Sequence, residues 1–334
     1  MVPMNGCPRV SIVVASYNEA STIAACVRSF AAQRYDGGLE ILIVDDRSTD
    51  DTGAILAGLG LEHLRVIRID RFDHPFLTSR QVALDTGFRA ARGEILVVTD
   101  ADALVPDDWV SVLCARLDAT GADLVGGPVR FTPRPDGGNR WVALVQTVDG
   151  LFYIGVCSWL NRLGFNSGFV FGNCAFRKEA YLKAGGYEAM GFGLTEDLVF
   201  GRSLRRNGGT MTLVARPATS VRACGSWRVL VDRAQRICAG GVSVLSVALG
   251  LWMLSLLGLA AAAACAPAWF LVAFLVRWLA GAMFVAVWLV RGGLPRLLPA
   301  ALLFEPAAIA IGLAVMWNGR RTKRIEWGGL VYDR

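Results

Sequence analysis

Histidine is scarce in this chain, and its cysteines follow no spacing pattern. The 334 residues include two histidines, His63 and His74, and eight cysteines that are scattered without a Cys-x-x-Cys pair. Structural zinc sites are built from Cys and His at short, repeated spacings. Neither a zinc module nor a redox dithiol is therefore expected, and unpaired cysteines of this kind are typical of a reduced, cytosolic protein.

Charge is missing from part of the last third of the chain. No charged residue occurs in residues 242–276. A bilayer-spanning helix needs about 20 mostly apolar residues, and residues 242–265, 268–290 and 297–317 meet that length. The first residues lack the charged-then-apolar pattern of a secretory signal. We expect a soluble domain over residues 1–241, two to three transmembrane helices over 242–317, and a basic tail over 318–334.

The net charge is +6, and the basic residues cluster beside the apolar part, in residues 202–236 and 320–324. Anionic lipid head groups or a phosphorylated substrate explain this placement better than nucleic acid does. Two ionisable residues, Arg277 and Glu305, lie inside the apolar stretches. Such residues usually face protein or water and are often paired, so we predict that they contact each other or share a polar pocket.

Short apolar runs alternate with helical patterns in the first hundred residues. Candidate strands are residues 10–15, 39–44, 64–69 and 95–98, and candidate helices are residues 20–33, 52–59 and 78–91. The first helix has Ile23, Val27 and Phe30 on one face. This alternation predicts an α/β protein with a parallel, doubly wound sheet.

Two of the predicted strands end in pairs of carboxylates, Asp45 with Asp46 and Asp100 with Asp102. Ligands of open α/β sheets bind outside the carboxyl ends of the strands. Magnesium is typically held by one or two carboxylates together with substrate phosphates. A solvated turn explains one acidic pair, since Asp is common in turns. Two such strand ends at one edge favour a metal and diphosphate site.

Several motifs in fixed order resemble the nucleotide-diphospho-sugar part of the family 2 glycosyltransferases. They are Ser-Ile-Val-Val-Ala-Ser-Tyr-Asn-Glu at 11–19, Ile-Val-Asp-Asp-Arg-Ser-Thr-Asp-Asp at 43–51, Arg-Ala-Ala-Arg-Gly-Glu-Ile-Leu-Val-Val-Thr-Asp-Ala-Asp at 89–102, Gly-Asn-Cys-Ala-Phe-Arg-Lys-Glu-Ala at 172–180, Gly-Gly-Tyr at 185–187 and Thr-Glu-Asp at 195–197. The resemblance covers roughly residues 8–241. It implies a Rossmann-like GT-A catalytic domain, here followed by C-terminal transmembrane helices.

The same resemblance implies a donor site. Mg²⁺ or Mn²⁺ would be held by Asp102 and Asp100, with Asp100 contacting either the ribose or the metal through water. One of Asp45 and Asp46 would hydrogen-bond the nucleotide base, and Tyr17 would stack on it. The further substrate-binding residues that it implies are Ser16, Glu19, Arg80, Asn173, Glu196, Arg233 and Arg236. Arg80 is equally explained as a surface residue of a helix.

Asp197 is the predicted general base. Inversion at the anomeric carbon requires a proton to be taken from the acceptor hydroxyl on the face opposite the leaving group. A buried carboxylate among apolar residues has the raised proton affinity that suits this task. Glu196 and Asp197 are alternatively explained as acids that stabilise a helix N-terminus.

Members of the family often carry a Gln/Arg-x-x-Arg-Trp motif after the base. Arg233 and Arg236 match its basic positions and are predicted to clamp the diphosphate, whereas Ile237 stands at the Trp position. In processive polymerases that Trp supports the acceptor sugar, so its absence disfavours polymer synthesis. Residues 168–175 are predicted either to form a floor on the acceptor side, where Gly172 and Asn173 would let the backbone approach a ligand closely, or to form a bulge or turn. Residues 146–165 are predicted to form an amphipathic, membrane-facing segment or packed core.

These features predict an inverting, metal-dependent enzyme that moves one hexose or N-acetylhexosamine from a nucleotide sugar, most simply a UDP-sugar, to a hydroxyl of a membrane lipid. The alternatives are a polysaccharide synthase, whose channel would require a homo-oligomer, and a non-catalytic membrane scaffold. We expect a multi-pass protein of the cell membrane with its catalytic domain in the cytoplasm. A cytosolic tail would fit the positive-inside tendency if the number of true spans is even.

Overall fold

The computed structural model describes residues 8–134, 137–165, 168–239, 244–265, 268–319, 324–327 and 330–333. The chain forms two compact units, one of Met1–Arg130 with Val156–Arg222 and one of Phe131–Gly155 with Ala223–Arg334. The expected domain border between residues 241 and 242 lies outside the described residues, and so does Val242, where the first apolar stretch begins. Pro267, which separates the first two apolar stretches, and three residues of the basic cluster, Arg320, Arg321 and Lys323, also lie outside them. The division of the chain by function therefore stays a prediction.

Strands are short and most belong to the first unit. They are β1 (Val10–Ser16), β2 (Leu39–Asp46), β3 (Leu64–Ile69), β4 (Ile95–Val98), β5 (Leu124–Gly126), β6 (Val129–Thr132), β7 (Cys174–Arg177), β8 (Met211–Leu213), β9 (Thr219–Arg222), β10 (Arg324–Trp327) and β11 (Leu330–Asp333). The helices of the first two-thirds are α1 (Ile23–Ala31), α2 (Thr52–Gly58), α3 (Ser79–Ala90), α4 (Trp109–Thr120), α5 (Arg140–Arg162), α6 (Lys178–Lys183), α7 (Gly186–Met190), α8 (Glu196–Arg206) and α9 (Trp227–Ala239). The remaining helices are α10 (Val244–Cys265), α11 (Ala268–Arg291) and α12 (Ala300–Gly319), with a short 3₁₀ turn at Pro295–Leu297.

The main sheet is mixed, with the strand order β3-β2-β1-β4-β7-β5-β8. Strands β1 to β4 pair in parallel, as the alternation of strands and helices predicts. The prediction of a wholly parallel sheet is wrong at β7, which runs antiparallel to both β4 and β5. Parallel neighbours require a crossover connection on one face of the sheet. The alternation of strand and helix continues through α4 to β5 and then breaks, since β6 and α5 precede β7, and β7 enters the sheet from the opposite end.

The central strands are covered on both faces. Every residue of β4 is buried, and all but one of β1. Burial on both faces explains why β4 consists of Ile, Leu and Val alone, and why the residues between the two serines of β1 are Ile, Val and Ala. Helix α1 packs Ile23, Val27 and Phe30 against one face, as its periodicity predicts. The Phe30 ring stacks on Trp109 of α4 at 6.1 Å between centroids, so α1 and α4 share one layer.

Aromatic side chains connect the end of the sheet to α8. Phe176 of β7 contacts Phe88 of α3 at 5.2 Å and Phe200 of α8 at 4.9 Å between ring centroids. Phe171 stacks on Phe200 at 6.0 Å. Aromatic pairs in such geometry contribute roughly 0.5–1.5 kcal/mol beyond burial. This cluster holds the first turn of α8 in a fixed place beside the carboxyl end of β4.

The second unit contains most of the apolar helices. Among the described residues, four helices are long and apolar enough to cross a membrane: α10, α11, α12 and, in addition to the three predicted stretches, α5. Protein covers 61% of the apolar window of α5, against 6%, 17% and 17% for the other three. Helix α5 therefore differs from the others in being packed mainly against protein.

The predicted contact between the two ionisable residues of the apolar stretches is confirmed. Arg277 of α11 pairs with Glu305 of α12 at 2.9 Å, and both side chains are buried. The guanidinium also donates to Trp252 O of α10 at 2.7 Å and lies 3.6 Å from the centre of the Trp252 ring. A Cβ at position 281 would lie 2.4 Å from Glu305 Oε1. The ion pair thus joins three helices, and a glycine makes room for it.

We predict that the Arg277–Glu305 pair couples these helices energetically. Glu305→Gln or Arg277→Gln alone should lower the stability of the detergent-solubilised chain by about 3 kcal/mol, because removing one partner leaves a buried charge uncompensated. The double variant should lose less than the sum of the single losses. Thermal unfolding of all four proteins measures the coupling, and zero coupling would contradict the prediction. The exposed Arg177–Asp118 pair at 3.4 Å is the control, with a coupling of about 0–1 kcal/mol.

Candidate active site

The loops that follow β1 and β2 are joined by hydrogen bonds. Asn18 N donates to Ser48 Oγ at 2.9 Å, and Thr49 N donates to Asn18 Oδ1 at 2.8 Å. Glu19 N donates to Thr52 Oγ1 at 2.8 Å. Because the carboxyl ends of parallel strands lie at one edge of a sheet, these bonds build one wall there, with Tyr17 half-buried in it.

The first acidic pair is already bound to arginines. Asp45 is buried, accepts from Ser48 N at 3.2 Å and pairs with Arg68 of the neighbouring strand β3. Asp46 accepts two bonds from Arg47, at 2.8 and 3.0 Å. The Arg47 guanidinium lies 5.7 Å from the centre of the Tyr17 ring. Asp45 therefore fixes the loop after β2, whereas Asp46 is paired with Arg47 next to Tyr17.

Arg80 connects the second acidic pair to α8. Its Nη2 donates to Asp100 Oδ1 at 2.6 Å, and its Nε donates to Glu196 Oε1 at 2.5 Å. The two carboxylates are far apart in sequence. Burial alone would lower the pKa of Arg80, but Glu196 and Asp100 outweigh it and raise that pKa above its usual value, so the guanidinium stays charged. The sequence-based alternative of a surface helix residue is wrong, since the Arg80 side chain is 19% exposed. One guanidinium thus holds the end of β4 and the start of α8 together.

Further acidic groups surround the end of β4. Burial is the largest cause that raises the pKa of Glu19, and the nearby Asp100 carboxylate adds to it. Asp102 acts together with burial to raise the pKa of the Cys26 thiol. Among the described residues, no three His, Cys, Asp or Glu side chains lie close enough to hold a metal ion by themselves. Asp100 and Asp102 nevertheless offer the one or two hard carboxylates that suffice when substrate phosphates complete the coordination of Mg²⁺.

Both acids of the Thr-Glu-Asp motif lie in the first turn of α8. Burial, followed by repulsion from Glu196, raises the pKa of Asp197 to about 7. Its Oδ1 accepts from Leu198 N at 2.7 Å. The helix-terminus explanation and the catalytic explanation are therefore compatible, because the fold places the same carboxylate at a helix start and beside the other acids.

Gln81 of α3 positions the segment that precedes α8. Its Oε1 accepts from Thr78 N at 3.1 Å and from Gly193 N at 3.2 Å, and its Nε2 donates to Gly191 O at 2.9 Å. The N-terminal capping box of α3 thus also fixes the loop leading to Asp197. Sequence reasoning missed this role, although Thr-x-x-Gln before an apolar run is a capping signal.

The side chain of Asn173 has partners within the protein, and the predicted binding of substrate at this residue stays a prediction. Asn173 is fully buried, accepts from Trp109 Nε1 and donates to Pro128 O and Pro217 O, each at 2.8 Å. The neighbouring Gly172 makes the predicted close approach, but to protein: a Cβ there would lie 3.3 Å from Asp100 Oδ2. The backbone of residues 172–173 therefore lies next to the carboxyl end of β4.

The described contacts do not connect three of the predicted residues with the acidic groups at the end of β4 and the start of α8. The Ser16 hydroxyl is buried and has no hydrogen-bond partner in the described part of the chain. Arg233 and Arg236 lie on α9 in the second unit, so the predicted diphosphate clamp stays a prediction. Arg47 and Arg68 were missed. The Asp-Asp-Arg sequence is a signal for Arg47, whereas Arg68 lies beside Asp45 only because of the register of β3 against β2.

We predict that Arg80 is the main compensating charge of this site. Arg80→Met should lower the unfolding free energy by about 3 kcal/mol, because Asp100 and Glu196 then lose their shared partner. Arg80→Lys should restore only part of it, since an ammonium cannot reproduce the planar two-sided contact. Denaturant unfolding measures both, with the exposed Arg116→Met as control. Wild-type stability of Arg80→Met would contradict the assignment.

Comparison with solved structures identifies the fold. A mannosyltransferase of Pyrobaculum calidifontis, determined in complex with GDP-Man and Mn²⁺, superposes with a TM-score of 0.53, covering 95% of this chain and 89% of that one at 20% identity. An identity this low supports the fold alone, and the fold is GT-A with C-terminal apolar helices as candidate membrane spans.

Comparison with curated sequences identifies the family. Glycosyltransferase AglE of Haloferax volcanii is 32% identical over 40% of this chain, and a beta-monoglucosyldiacylglycerol synthase of Nostoc sp. is 37% identical over 31% of it. The chain spans 42% and 22% of the length of these relatives. The sequence model of glycosyl transferase family 2 matches residues 11–184, more than half of the 334 residues. The chain is therefore a member of glycosyl transferase family 2.

Proposed function

We propose that this protein transfers a single sugar, with inversion, from a nucleoside-diphosphate sugar to a hydroxyl group of a membrane lipid. The observation that carries the proposal is the bridge made by Arg80. It joins Asp100, at the strand end suited to the donor diphosphate, to Glu196, next to the carboxylate suited to proton removal. An enzyme of this class needs both functions within reach of one anomeric carbon.

The donor end is assigned to the strand ends of β1, β2 and β4. Tyr17 would stack on the base, and Asp46 would exchange its contact with Arg47 for a base N–H, a charge-assisted bond. Asp102 and Asp100 would hold Mg²⁺ or Mn²⁺, with the diphosphate as the other ligand. When bound, such an ion offsets the negative charge that grows on the leaving diphosphate.

The proton-transfer end is assigned to Asp197. The raised pKa of this carboxylate makes it a stronger base than an ordinary aspartate, which is what removal of a proton from an alcohol requires. Leu198 N holds the carboxylate of Asp197 by donating a hydrogen bond to it. Gln81 holds the loop before α8 by accepting a hydrogen bond from Gly193 N. Glu196 is turned toward Arg80 instead, so the two neighbouring acids have different tasks.

The acceptor is assigned to a lipid because of the second unit. Three helices of that unit are apolar, largely uncovered by protein and long enough to span a bilayer. The beta-monoglucosyldiacylglycerol synthase among the relatives supports a lipid acceptor. We place the catalytic residues on the cytoplasmic side, where nucleotide sugars are made, and keep the proposed functional division at residues 241/242.

The test is a transfer assay with the full-length chain in detergent micelles, Mn²⁺, dioleoylglycerol, and UDP-glucose, UDP-N-acetylglucosamine or GDP-mannose. Glycolipid should form with one donor, and Asp197→Asn should lower the rate by roughly 10²–10⁴-fold. Because the base must be deprotonated, the wild-type rate should rise as the pH passes through about 7 and level off above it.

The matched control is Asp107→Asn, which removes an exposed carboxylate from the same unit and should leave the rate unchanged. Equal rates for wild type and Asp197→Asn would defeat the role of Asp197. Absence of both transfer and donor hydrolysis with every donor would defeat the enzyme itself.

A further inference from the structure

Helix α5 carries a carboxylate that the reaction described above does not use. Asp149 is the only charged residue between the arginines at the two ends of the helix, Arg140 and Arg162. The side chain reaches solvent, although protein atoms surround it on most sides. Within the described part of the chain it makes no hydrogen bond and no ion pair.

The neighbouring polar residues of α5 are fully engaged in structure. Gln146 Oε1 accepts from Cys224 N at 2.8 Å, which ties α5 to the segment before α9. Thr147 Oγ1 accepts from Phe131 N at 2.9 Å and donates to Phe131 O at 3.2 Å. These bonds fix the rotation of α5 at the turn that carries Asp149. The direction of the carboxylate is therefore set by the fold.

A guanidinium faces the same region. Arg233 of α9 lies 5.2 Å from the centre of the Phe131 ring and attracts the Asp149 carboxylate electrostatically, but the two side chains do not form an ion pair. Val142 of α5 and Leu230 of α9 pack in one cluster, so the two helices are held together. The Asp149 carboxylate, which accepts hydrogen bonds, and the Arg233 guanidinium, which donates them, thus lie on adjoining helices without touching. A small polar group could bind to both.

The next turns of α5 lead onto the apolar helices. A Cβ at position 155 would lie 2.7 Å from Trp288 Cδ1 of α11. The Phe152 ring contacts Phe304 of α12 at 5.0 Å and Phe284 of α11 at 5.8 Å. Asp149 therefore lies one turn before the point where α5 meets helices suited to a bilayer. A polar position next to an apolar surface fits a molecule with a polar head and a hydrocarbon tail.

We propose that Asp149 and Arg233 bind the head group of a lipid alcohol, with the alcohol hydroxyl donating to Asp149 and a second head-group oxygen accepting from Arg233. This inference rests on the proposed function, since it assigns acceptor recognition to residues of the second unit. Asp149 and Arg233, and not the carboxylates at the strand ends, would then select the acceptor. A neutral head is favoured over a phosphate head because the Asp149 carboxylate repels an anion.

The first experiment measures steady-state kinetics with dioleoylglycerol at saturating donor. Asp149→Asn should raise KM for dioleoylglycerol by roughly tenfold, as expected for weakening a hydrogen bond to a charged group. KM for the donor and the rate of donor hydrolysis without lipid should not change. The matched control is Arg140→Gln, which removes an exposed charge from the same helix and should change neither constant.

The second experiment is independent of catalysis. Native mass spectrometry of the detergent-solubilised full-length chain, without donor, should show dioleoylglycerol retained by wild type and less by Asp149→Asn. That result supports the inference even if no sugar is transferred, which would defeat the proposed function alone. If Asp149→Asn does not fold, Asp149→Glu, which displaces the carboxylate by one methylene, should show the same losses.

Three results would overturn the inference. The first is equal retention of dioleoylglycerol by wild type and variant, or none by either. The second is a rise in KM for the donor instead of the lipid, which would make Asp149 a residue that orients Arg233 toward the diphosphate. The third is stronger retention of undecaprenyl phosphate than of dioleoylglycerol by wild type, which would show a phosphate-headed acceptor.

Discussion

Mutual repulsion of carboxylates at one sheet edge is the constraint on which the rest of the first unit depends. The acids of β4, of the loop after β1 and of α8 lie near one another, and the nearby charges contribute to the raised pKa values of Glu19 and Asp197. Such a group is stable only if cations compensate it. Arg80 supplies one cation by binding Asp100 and Glu196 at once. The same excess of negative charge would attract a divalent ion, as the proposed metal site requires.

The surrounding structure serves to keep these groups in place. Gln81 fixes the loop before α8 and the cap of α3 with one side chain, and the ring of Phe200 holds α8 against β7. Asn173 ties the end of β7 to Trp109 and to two backbone carbonyls. None of these side chains needs to touch a substrate. Their effect is to limit the movement of Asp100 and Asp197 relative to each other, which a transfer reaction requires.

Much of this arrangement could be predicted from the sequence, because it rests on local patterns. The apolar runs of β1, β2 and β4 and the acids that follow them are contiguous in the chain, and the face of α1 is visible in its periodicity. The shared binding of Arg80 could not be predicted, since it joins residues 116 positions apart. The antiparallel direction of β7 and the buried role of Asn173 likewise depend on long-range packing. Arg68 was missed because only the register of β3 against β2 places it beside Asp45.

The two units differ in the chemistry of the side chains that they present. Carboxylates and arginines at the sheet edge suit a charged, water-soluble donor, whereas α10, α11 and α12 suit hydrocarbon. The Arg277–Glu305 pair stabilises those helices from within, and α5 presents one carboxylate close to them.

Binding of nucleoside diphosphate in the presence and absence of metal tests the central claim most directly, namely that Asp100 and Asp102 form a metal–diphosphate site. Isothermal titration of the full-length chain with UDP and with GDP should show at least one of them bound about tenfold or more tightly with Mn²⁺ than without it. Asp102→Asn should lose that gain while retaining the weaker, metal-free binding. Equal affinity of the wild-type chain with and without Mn²⁺ for both nucleotides would contradict the account.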